Sequence, residues 1–465
     1  MSYPNAVDLY AEAKKPAARS GASGRSGTSA KCQLIQVQPK SVEEITRILT
    51  NSDRFPSPVR PVGSGSSVTR CAQTAVGTLI DLSQLDRVIA LTADTVTVQA
   101  GIRLQDLAQY LADEGMELLC GCVDMNRTVG GAVSSATLGG PIPGDGSQLA
   151  STVLQITLIN GLGRKVVVNE KLPDLLALTR MSYGLFGVIY MVKLRVRPIR
   201  AYTVRTTKID FAEFGEIIPT LMKARVSVKA SLMPFRDRVF VEMRHPDEGG
   251  QKAYSLPWKL RDWTTNKALP AVVKSVAKVV PIKKLRDPLI DGFTEATHVL
   301  NNSLAVTGSN AVEQTGRFRM LKPDQPVSQS TWFFPVRNLP ALIDAYRKFS
   351  IDHYKKMNFR CDLPAEIWRM DMDKYSLLSP SFNESMYALN LRTADLSGWD
   401  DFLLEFFDVA TQFEGVPVFN KTRGLQPGYA AKVYGDRLQR FGDIRRRLDP
   451  GNRLLNQYFA EHFSE

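Results

Sequence analysis

This 465-residue chain has few of the residues that build disulfide bridges or metal sites. It contains 5 cysteines and 4 histidines, and both kinds are scattered along the chain. An odd number of dispersed cysteines, in a chain long enough to bury a core, predicts reduced thiols. The close pair Cys120-Gly-Cys122 lacks the spacing of common zinc or redox motifs. We therefore predict no metal site, and we interpret this pair as small residues lining a loop.

Long apolar stretches are also missing. No run reaches the roughly 18 apolar residues that indicate a membrane-spanning helix. The first residues, Met1-Ser-Tyr-Pro-Asn, do not show the basic-then-apolar order of a secretion signal. We expect a cytoplasmic protein, with peripheral contact at the inner face of a membrane as the open alternative.

Acidic residues are in the minority, and the formal net charge is +12. Such an excess favours anionic partners, whether a phosphorylated cofactor, an acidic substrate, a membrane surface or nucleic acid. Interleaved aromatics and a recognition helix are not evident, so no nucleic-acid partner is predicted. A non-enzymatic anion-binding or nucleic-acid-binding protein remains the remote alternative.

The positive charge is concentrated in residues 256–287, which contain eight basic residues and two acidic ones. Valines within 271–280 recur at helical spacing, with Lys274 and Lys278 on another face. This helix either packs on the protein or lies on an anionic membrane with Trp258 and Trp263 at the interface. A lid is a third interpretation.

Glycine is abundant in two stretches, where it is mixed with small hydroxyl residues. The first is Val62-Gly63-Ser64-Gly65-Ser66-Ser67, and the second runs over 128–140. Strand-like runs at 77–82 and 95–100 and a helical pattern at 104–113 lie between them. Glycine lets the main chain turn sharply and approach a ligand closely, so both stretches are candidate anion-binding loops.

These elements, over roughly residues 33 to 200, resemble the FAD-binding domain of the vanillyl-alcohol-oxidase family, the PCMH type. The resemblance implies an α+β fold with two domains, in which the two glycine-rich stretches hold the pyrophosphate and isoalloxazine of FAD. The implied cofactor contacts in the second stretch and beyond it are Asp124, Thr128, Gly130, Gly131, Ser134, Thr137, Gly187, Val188 and Ile189.

The resemblance also bears on how the flavin is attached. Many relatives carry a histidine after the second glycine of the first loop, where it bonds covalently to the flavin, and here that position is Ser66. Cys122 lies farther from Gly130 than the cysteine that some relatives bond to the flavin. We therefore expect non-covalent FAD.

The pattern divides the chain into four parts: a flexible arm at 1–31, the FAD domain at 32–200, a substrate domain at 201–415 and a C-terminal segment at 416–465 that returns to the flavin domain. Alternating stretches at 238–244, 330–336 and 386–392 predict an antiparallel sheet. Helical patterns at 339–348 and 399–411 predict helices that cover it.

The C-terminal segment resembles the aldonolactone and alditol oxidases of the same family. Leu448-Asp-Pro-Gly-Asn-Arg-Leu-Leu-Asn-Gln-Tyr-Phe459 matches their last segment, and its Asn456 is predicted to contact the cofactor. Val416-Pro-Val-Phe-Asn-Lys421 stands where they carry Pro-His-Trp-Gly-Lys. Only the proline and the lysine remain, and Lys421 is implied to hold developing negative charge beside the flavin and substrate.

These relatives also carry a Glu-x-Arg pair on a strand, but here Glu366 and Arg369 are three residues apart. Odd spacing places them on opposite faces of a regular strand. The resemblance favours Arg369 over Glu366, and Asp371 or Asp373 are alternative sources of the carboxylate. Asn390, with Arg392, either hydrogen-bonds a polar substrate or faces solvent.

The sequence therefore predicts an FAD-dependent oxidoreductase. It would oxidise a CH–OH or C–N bond of a small polar substrate, which could resemble a sugar or lactone, and pass electrons to oxygen or another acceptor. The alternative is a peripheral membrane dehydrogenase that reduces quinone through residues 256–287. The oligomeric state is left open.

Overall fold

The computed structural model describes residues 34–139, 144–200, 202–224, 226–246, 260, 263–303 and 327–463. The predicted arm at 1–31 and Trp258 lie outside these ranges. The sequence pattern of strands and helices is reproduced closely. The helix expected at 104–113 has those bounds, and the expected strands at 77–82 and 95–100 end one residue earlier.

The N-terminal part consists of two small sheets and short helices. Its strands are β1 (Leu34–Val37), β2 (Val59–Val62), β3 (Gly77–Asp81), β4 (Val88–Leu91), β5 (Thr95–Gln99), β6 (Met116–Leu118), β7 (Val153–Ile159), β8 (Lys165–Asn169) and β9 (Val188–Pro198). Its helices are α1 (Val42–Thr50), α2 (Leu104–Asp113), α3 (Val129–Val133) and α4 (Pro173–Thr179).

The two sheets of this part differ in strand direction. Strands β1, β3 and β2 form a parallel sheet in that order, and β4, β5, β9, β7 and β8 form an antiparallel one, with β6 paired to β9. The first glycine-rich stretch leaves the end of β2, and the second runs into α3. Both stretches are therefore anchored to a strand or a helix, which restricts the conformations of their loops.

The C-terminal part is built on one larger sheet. Its strands are β10 (Tyr202–Ile209), β11 (Ser227–Met233), β12 (Arg238–Pro246), β13 (Ser328–Pro335), β14 (Ala365–Met370), β15 (Met386–Thr393) and β16 (Val416–Pro417). Its helices are α5 (Phe211–Lys223), α6 (Leu269–Val279), α7 (Lys283–Ser303), α8 (Leu339–Met357), α9 (Trp399–Gln412), α10 (Tyr429–Tyr434), α11 (Asp436–Leu448) and α12 (Gln457–Phe463).

This sheet is antiparallel, in the order β10-β12-β11-β14-β15-β13-β16. The predicted antiparallel sheet and its covering helices are thus confirmed. One face packs on α5, α8 and α9, where Ile367 and Leu389 join a large apolar core. The other face carries Trp368 and Ala388 and packs against residues of the N-terminal part such as Phe186. Odd-numbered and even-numbered side chains of β14 and β15 therefore lie on opposite faces of the sheet, one packed on helices and the other on the N-terminal part.

The C-terminal segment packs back against the N-terminal part. Leu454 is fully buried in the core that contains Ile45 and Ile159. The Arg453 guanidinium donates to the carbonyls of Ile48 and Leu49 at 2.8 and 3.1 Å. Among the helices that the structure describes, none is long and apolar enough to cross a bilayer.

Candidate functional site

A cleft of about 740 Å³ opens between the two glycine-rich stretches. Most of the predicted cofactor contacts line it: Val62, Gly63, Ser64, Gly65, Ser66, Ser67, Thr128, Gly130, Gly131, Ser134, Gly187 and Ile189. The cleft lies at the end of β2, over the start of α3 and beside the first residues of β9. Residues that are distant in the sequence thus come together to line this cleft.

The two stretches touch each other through a glycine. A Cβ added to Gly63 would collide with the Thr128 hydroxyl and lie 3.2 Å from the Thr128 Cβ. That hydroxyl is in use, since it accepts a hydrogen bond from the Gly131 N–H at 3.3 Å and caps α3. Gly130 is also constrained, because its Cβ would lie 2.9 Å from that of Ala100. Glycine is therefore required at the contact, and the loops approach as closely as main chain permits.

Four of the predicted cofactor contacts are not among the residues that line the cleft: Asp124, Thr137, Val188 and Asn456. Val188 is fully buried in a core, and the Thr137 hydroxyl accepts a hydrogen bond from the Leu149 N–H at 3.2 Å. The Asn456 amide donates to the carbonyls of Arg70, Cys71 and Gln73. Asn456 thus stabilises the turn that follows the first loop.

Sequence reasoning missed two buried arginines that shape the cleft. Arg60 donates to the carbonyls of Leu454 at 2.7 Å and Cys71 at 2.9 Å, and its Nε has no partner among the described residues. Burial lowers the pKa of Arg60 to about 10, so the guanidinium stays charged near neutral pH. Arg127 donates to the carbonyls of Gly131 and Ala136 at 2.7 and 3.0 Å and holds the second stretch in its bend. The only sequence signal was that each lies beside a glycine-rich stretch.

Tyr183 is a third missed residue of the cleft wall. Its ring packs against Phe419 and Phe459, and its hydroxyl is buried without a partner in the described residues. Its backbone φ is 53°, in the left-handed region that disfavours residues with side chains. A buried unpaired hydroxyl costs free energy unless a ligand satisfies it.

Lys421 lies on a tight turn where the cleft and the large sheet meet. Its N–H and that of Thr422 both donate to the Val418 carbonyl, at 3.0 and 2.9 Å. The Lys421 carbonyl accepts from the Thr331 N–H of β13 at 3.0 Å. The neighbouring Asn420 accepts from the Val68 N–H of the first loop at 3.0 Å. This turn therefore connects the first loop to the sheet.

The Lys421 side chain is buried among charged groups. Burial lowers its pKa, as does the positive charge of Arg127, while Asp124, Cys122 and Glu366 act in the opposite direction. Lys421 thus lies in the electrostatic field of both the second glycine-rich stretch and the large sheet. Asp124 therefore acts on Lys421 through its negative charge, and it does not line the cleft.

The two cysteines of the close pair are buried, and the Cys122 thiol points to the Asp124 carbonyl, with 3.6 Å between sulfur and oxygen. Burial raises the pKa of Cys120 and Cys122, which keeps both as thiols. Every cysteine in the described part of the chain is free. These features agree with the prediction of reduced thiols.

Glu366 lies on the face of β14 that packs toward the N-terminal part, as does Trp368. One carboxylate oxygen pairs with the Arg392 guanidinium and the Lys229 ammonium, each at 3.0 Å. Burial raises the pKa of this carboxyl group, but the two cations outweigh burial and lower the pKa to about 2. Glu366 is therefore ionised throughout the physiological range.

Arg369 occupies the opposite face of the same strand, as its odd spacing from Glu366 predicts. Its guanidinium donates to the carbonyls of Leu221, Ala224 and Val226 at 3.2, 2.5 and 3.2 Å. The first two of these belong to the end of α5, where helix carbonyls lack internal partners. Its Nε pairs with Asp371 at 3.1 Å. Arg369 thus caps a helix on the covered side of the sheet, and the guanidinium beside Glu366 comes from Arg392 on the next strand.

Asp373, the other alternative carboxylate, is buried away from that ion pair. Its N–H donates to the Ser381 carbonyl at 2.9 Å, and its carboxylate accepts from the Tyr375 N–H at 2.9 Å. Burial raises the pKa of this group. Asp373 therefore stabilises a turn after β14.

Asn390 faces the same side as Glu366 and is buried, so it does not face solvent. It is the cross-strand partner of Glu366, and its amide oxygen accepts from the Thr331 hydroxyl at 3.0 Å. Arg392 is also buried, and its Nε has no partner in the described residues. We call the five side chains Lys229, Glu366, Asn390, Arg392 and Thr331 the polar row.

The cleft residues fit FAD. The walls of the cleft are formed by the main chain of two close-packed, glycine-rich loops, with the positively charged Arg60 and Arg127 among the lining residues. A glycine-rich loop with nearby positive charge suits the pyrophosphate of FAD.

Comparisons with known proteins agree with this description. A family model described as "FAD binding domain" matches residues 34–169, and one described as "D-arabinono-1,4-lactone oxidase" matches residues 192–462, more than half of the chain. L-gulonolactone oxidase of Mus musculus is 24% identical over 447 residues, covering 92% of this chain and 94% of that protein.

A bacterial relative and a solved structure complete the comparison. L-gulono-1,4-lactone dehydrogenase of Mycobacterium tuberculosis is 22% identical over 430 residues, with 91% of this chain and 94% of that protein covered. The crystal structure of cholesterol oxidase from B. sterolicum superposes with a TM-score of 0.74 at 12% identity, covering 92% of this chain and 94% of that one. The predicted resemblance, the α+β FAD-binding fold and FAD as cofactor are confirmed.

Proposed function

Because this chain belongs to the D-arabinono-1,4-lactone oxidase family, we propose that it oxidises a CH–OH group of a small polyhydroxylated substrate, such as a sugar or its lactone. It is an FAD-dependent oxidoreductase. FAD, when bound, accepts a hydride from the alcohol carbon. Oxygen or another acceptor then takes the electrons.

The observation that carries this proposal is the position of Lys421. Its ammonium experiences the charges of Asp124 and Arg127 beside the cleft and of Glu366 in the polar row. A substrate between them would have the flavin on one side and hydrogen-bonding side chains on the other. A buried cation at this junction stabilises negative charge that develops during oxidation.

The polar row binds and orients the substrate in this proposal. Asn390 and Thr331 contribute an amide and a hydroxyl group that hydrogen-bond each other, and Arg392 has a buried N–H with no protein acceptor in the described part of the chain. Glu366 positions Arg392 and Lys229 through its ion pairs. With a pKa of about 2 it is a weak base, so it holds hydrogen-bond donors rather than removing the hydroxyl proton.

We infer that the flavin is held without a covalent bond. Ser66 lacks the nucleophilic ring of the histidine that attaches flavin in relatives. The Cys122 thiol is turned to the Asp124 carbonyl. The flavin should therefore appear in the supernatant after acid precipitation of the protein.

The function is tested by anaerobic mixing with panels of aldonolactones, alditols and amines while flavin absorbance is followed. We expect bleaching by a lactone or alditol. Lys421→Met should retain FAD but bleach about 10²–10³-fold more slowly with that substrate, as for loss of one transition-state donor. Lys432→Met, at an exposed lysine of α10, is the matched control.

A pH profile separates a charge role from a packing role. The positive charge of Lys421 is lost as pH rises through its lowered pKa, so the wild-type rate should fall at a pH below the usual lysine value of 10.5. Lys421→Arg should move that fall to higher pH. Unchanged bleaching in Lys421→Met, or bleaching by amines alone, would contradict the proposal.

A further inference from the structure

Exposed apolar side chains are concentrated in one small part of the molecule. Of the 19 large apolar side chains exposed in the described residues, nine lie at 260 and 263–303. They are Leu260, Trp263, Val279, Ile282, Leu285, Leu289, Phe293, Val299 and Leu300. Scattered single apolar residues are normal on a surface, but a contiguous set indicates an interaction site.

The two faces of α7 differ in character. Leu285, Leu289 and Phe293 follow one another at intervals of four residues, with exposures of 60%, 48% and 49%. At about 100° per residue they fall on one side of the helix. Ile290 and Thr294 lie on the other side and are buried against the body of the protein.

The charges of α7 are sorted in the same way. All its acidic residues are paired inward: Asp291 with Arg360 at 2.7 Å, Glu295 with Lys208 at 3.0 Å, and Asp287 with the hydroxyl of Tyr354 at 2.8 Å. The preceding helix, α6, contains no acidic residue.

Two basic residues remain exposed at the surface, Lys278 at the end of α6 and Lys284 at the start of α7. Val279, the last residue of α6, is 78% exposed. The outward surface of the hairpin thus combines an apolar stripe with positive charge and no exposed carboxylate in its described residues.

We propose that the outer face of the α6–α7 hairpin docks the protein peripherally on an anionic lipid surface. An apolar helical stripe flanked by lysines is the arrangement that lies in a bilayer interface. Each lysine near an anionic membrane strengthens binding by about fivefold. Packing on the protein, the other interpretation of this segment, is observed for inner residues such as Val273.

Charge distinguishes this occupant from a second copy of the chain. A two-fold dimer places the same patch of both copies face to face. Lys278 and Lys284 would then approach their counterparts, in a molecule whose formal net charge is already +12. An anionic bilayer supplies both the apolar layer and the opposite charge.

The test is co-sedimentation of the full-length FAD-loaded protein with phosphatidylcholine vesicles, with and without phosphatidylglycerol. We expect binding only with phosphatidylglycerol. It should weaken strongly at high salt, since the Debye length falls from about 10 Å at 0.1 M to about 3 Å at 1 M.

Variants assign the binding to the hairpin. Lys278→Gln with Lys284→Gln should weaken binding by about fivefold per lysine, and Leu285→Ser with Leu289→Ser by at least tenfold. Matched controls are Lys171→Gln with Lys432→Gln, and Leu162→Ser with Leu404→Ser, at positions of similar exposure. Flavin content and flavin bleaching should be unchanged in all of them, which keeps this test independent of the proposed reaction.

Three results would overturn the proposal. They are equal sedimentation with both kinds of vesicle, equal losses in the control variants, and no vesicle binding together with a dimer that the Leu285 and Leu289 substitutions dissociate. The last result would assign the patch to contact between copies.

Discussion

The flavin cleft and the polar row are built from different parts of the polypeptide. The cleft is walled largely by glycine and serine main chain, with Gly63 against Thr128. The polar row consists of long side chains from four strands, held by ion pairs such as Glu366 with Arg392. A main-chain site is determined by backbone shape, whereas a side-chain site is determined by strand register and face.

This difference implies different weaknesses. The cleft should tolerate changes of side chain except where an added carbon separates its loops. The polar row should tolerate small shifts of the main chain around it. It should not tolerate the loss of one charged side chain, because the remaining buried charges would be left unpaired. Three substitutions test these statements.

The largest effect on cofactor binding is expected for Gly63→Ala. The added Cβ would collide with the Thr128 hydroxyl, so the two loops must separate. Overpacking of a tight contact costs about 1–3 kcal/mol, and the whole cost falls on the cofactor site. We expect FAD affinity to fall by about 100-fold, measured by titration of the apoprotein with FAD.

Two companions sharpen this result. Gly451→Ala is the matched control, since an added Cβ there meets no neighbouring atom within 4 Å. Combining Gly63→Ala with Thr128→Ala should restore part of the affinity, because the colliding hydroxyl is gone. Equal FAD affinity in Gly63→Ala and wild type would show that the loop contact does not shape the site.

The same difference explains what the sequence could and could not predict. Glycine-rich composition marks main-chain sites directly, so the stretches at 62–67 and 128–131 are evident from sequence, and the family resemblance adds Gly187 and Ile189. Arg60 and Tyr183 were missed, because a buried arginine and a tyrosine of positive φ have no distinct local pattern. Their roles depend on partners far away, such as Leu454 and Phe459.

The polar row was harder to predict from sequence. Alternation along a strand shows which side chains share a face, but the strand's bounds and neighbours must be known before each face can be assigned to a side of the sheet. Matching motifs favoured Arg369, yet even-numbered residues of β14 face the N-terminal part and odd-numbered ones face the helices. The sequence gives no sign that Lys229 pairs with Glu366, because it lies more than a hundred residues earlier in the chain. Only the pairing of β11 with β14 brings the two together.

Glu366→Gln should act mainly on the stability of the protein. It leaves the Lys229 and Arg392 charges without their carboxylate, and breaking a buried ion pair costs about 3–5 kcal/mol. We expect a loss of about 3 kcal/mol in the free energy of unfolding near neutral pH, measured by denaturant titration. Bleaching by substrate should also slow, since Arg392 loses its anchor.

The pH dependence gives this prediction a sign. The folded pKa of Glu366, about 2, is below its ordinary value of 4.5, so its stabilisation is complete above 4.5 and is lost as pH falls toward 2. The stability gap between wild type and Glu366→Gln should therefore narrow over that interval. Glu384→Gln, which breaks an exposed pair with Arg337, should cost less than about 1 kcal/mol. If the difference in unfolding free energy between wild type and Glu366→Gln does not change with pH, the ionised state assigned to Glu366 is contradicted.

The smallest kinetic effect is expected for Arg369→Met, although it changes the residue that motif matching favoured. This guanidinium donates to three carbonyls near the end of α5, so its loss should lower the free energy of unfolding by about 1.5–3 kcal/mol. The rate of flavin bleaching should stay at the wild-type value under conditions where both proteins are folded. Arg392→Met, on the other face of the sheet, should by contrast slow bleaching at equal flavin content. If Arg369→Met slows bleaching while Arg392→Met does not, the substrate lies on the helix-covered face and the polar row is not the site.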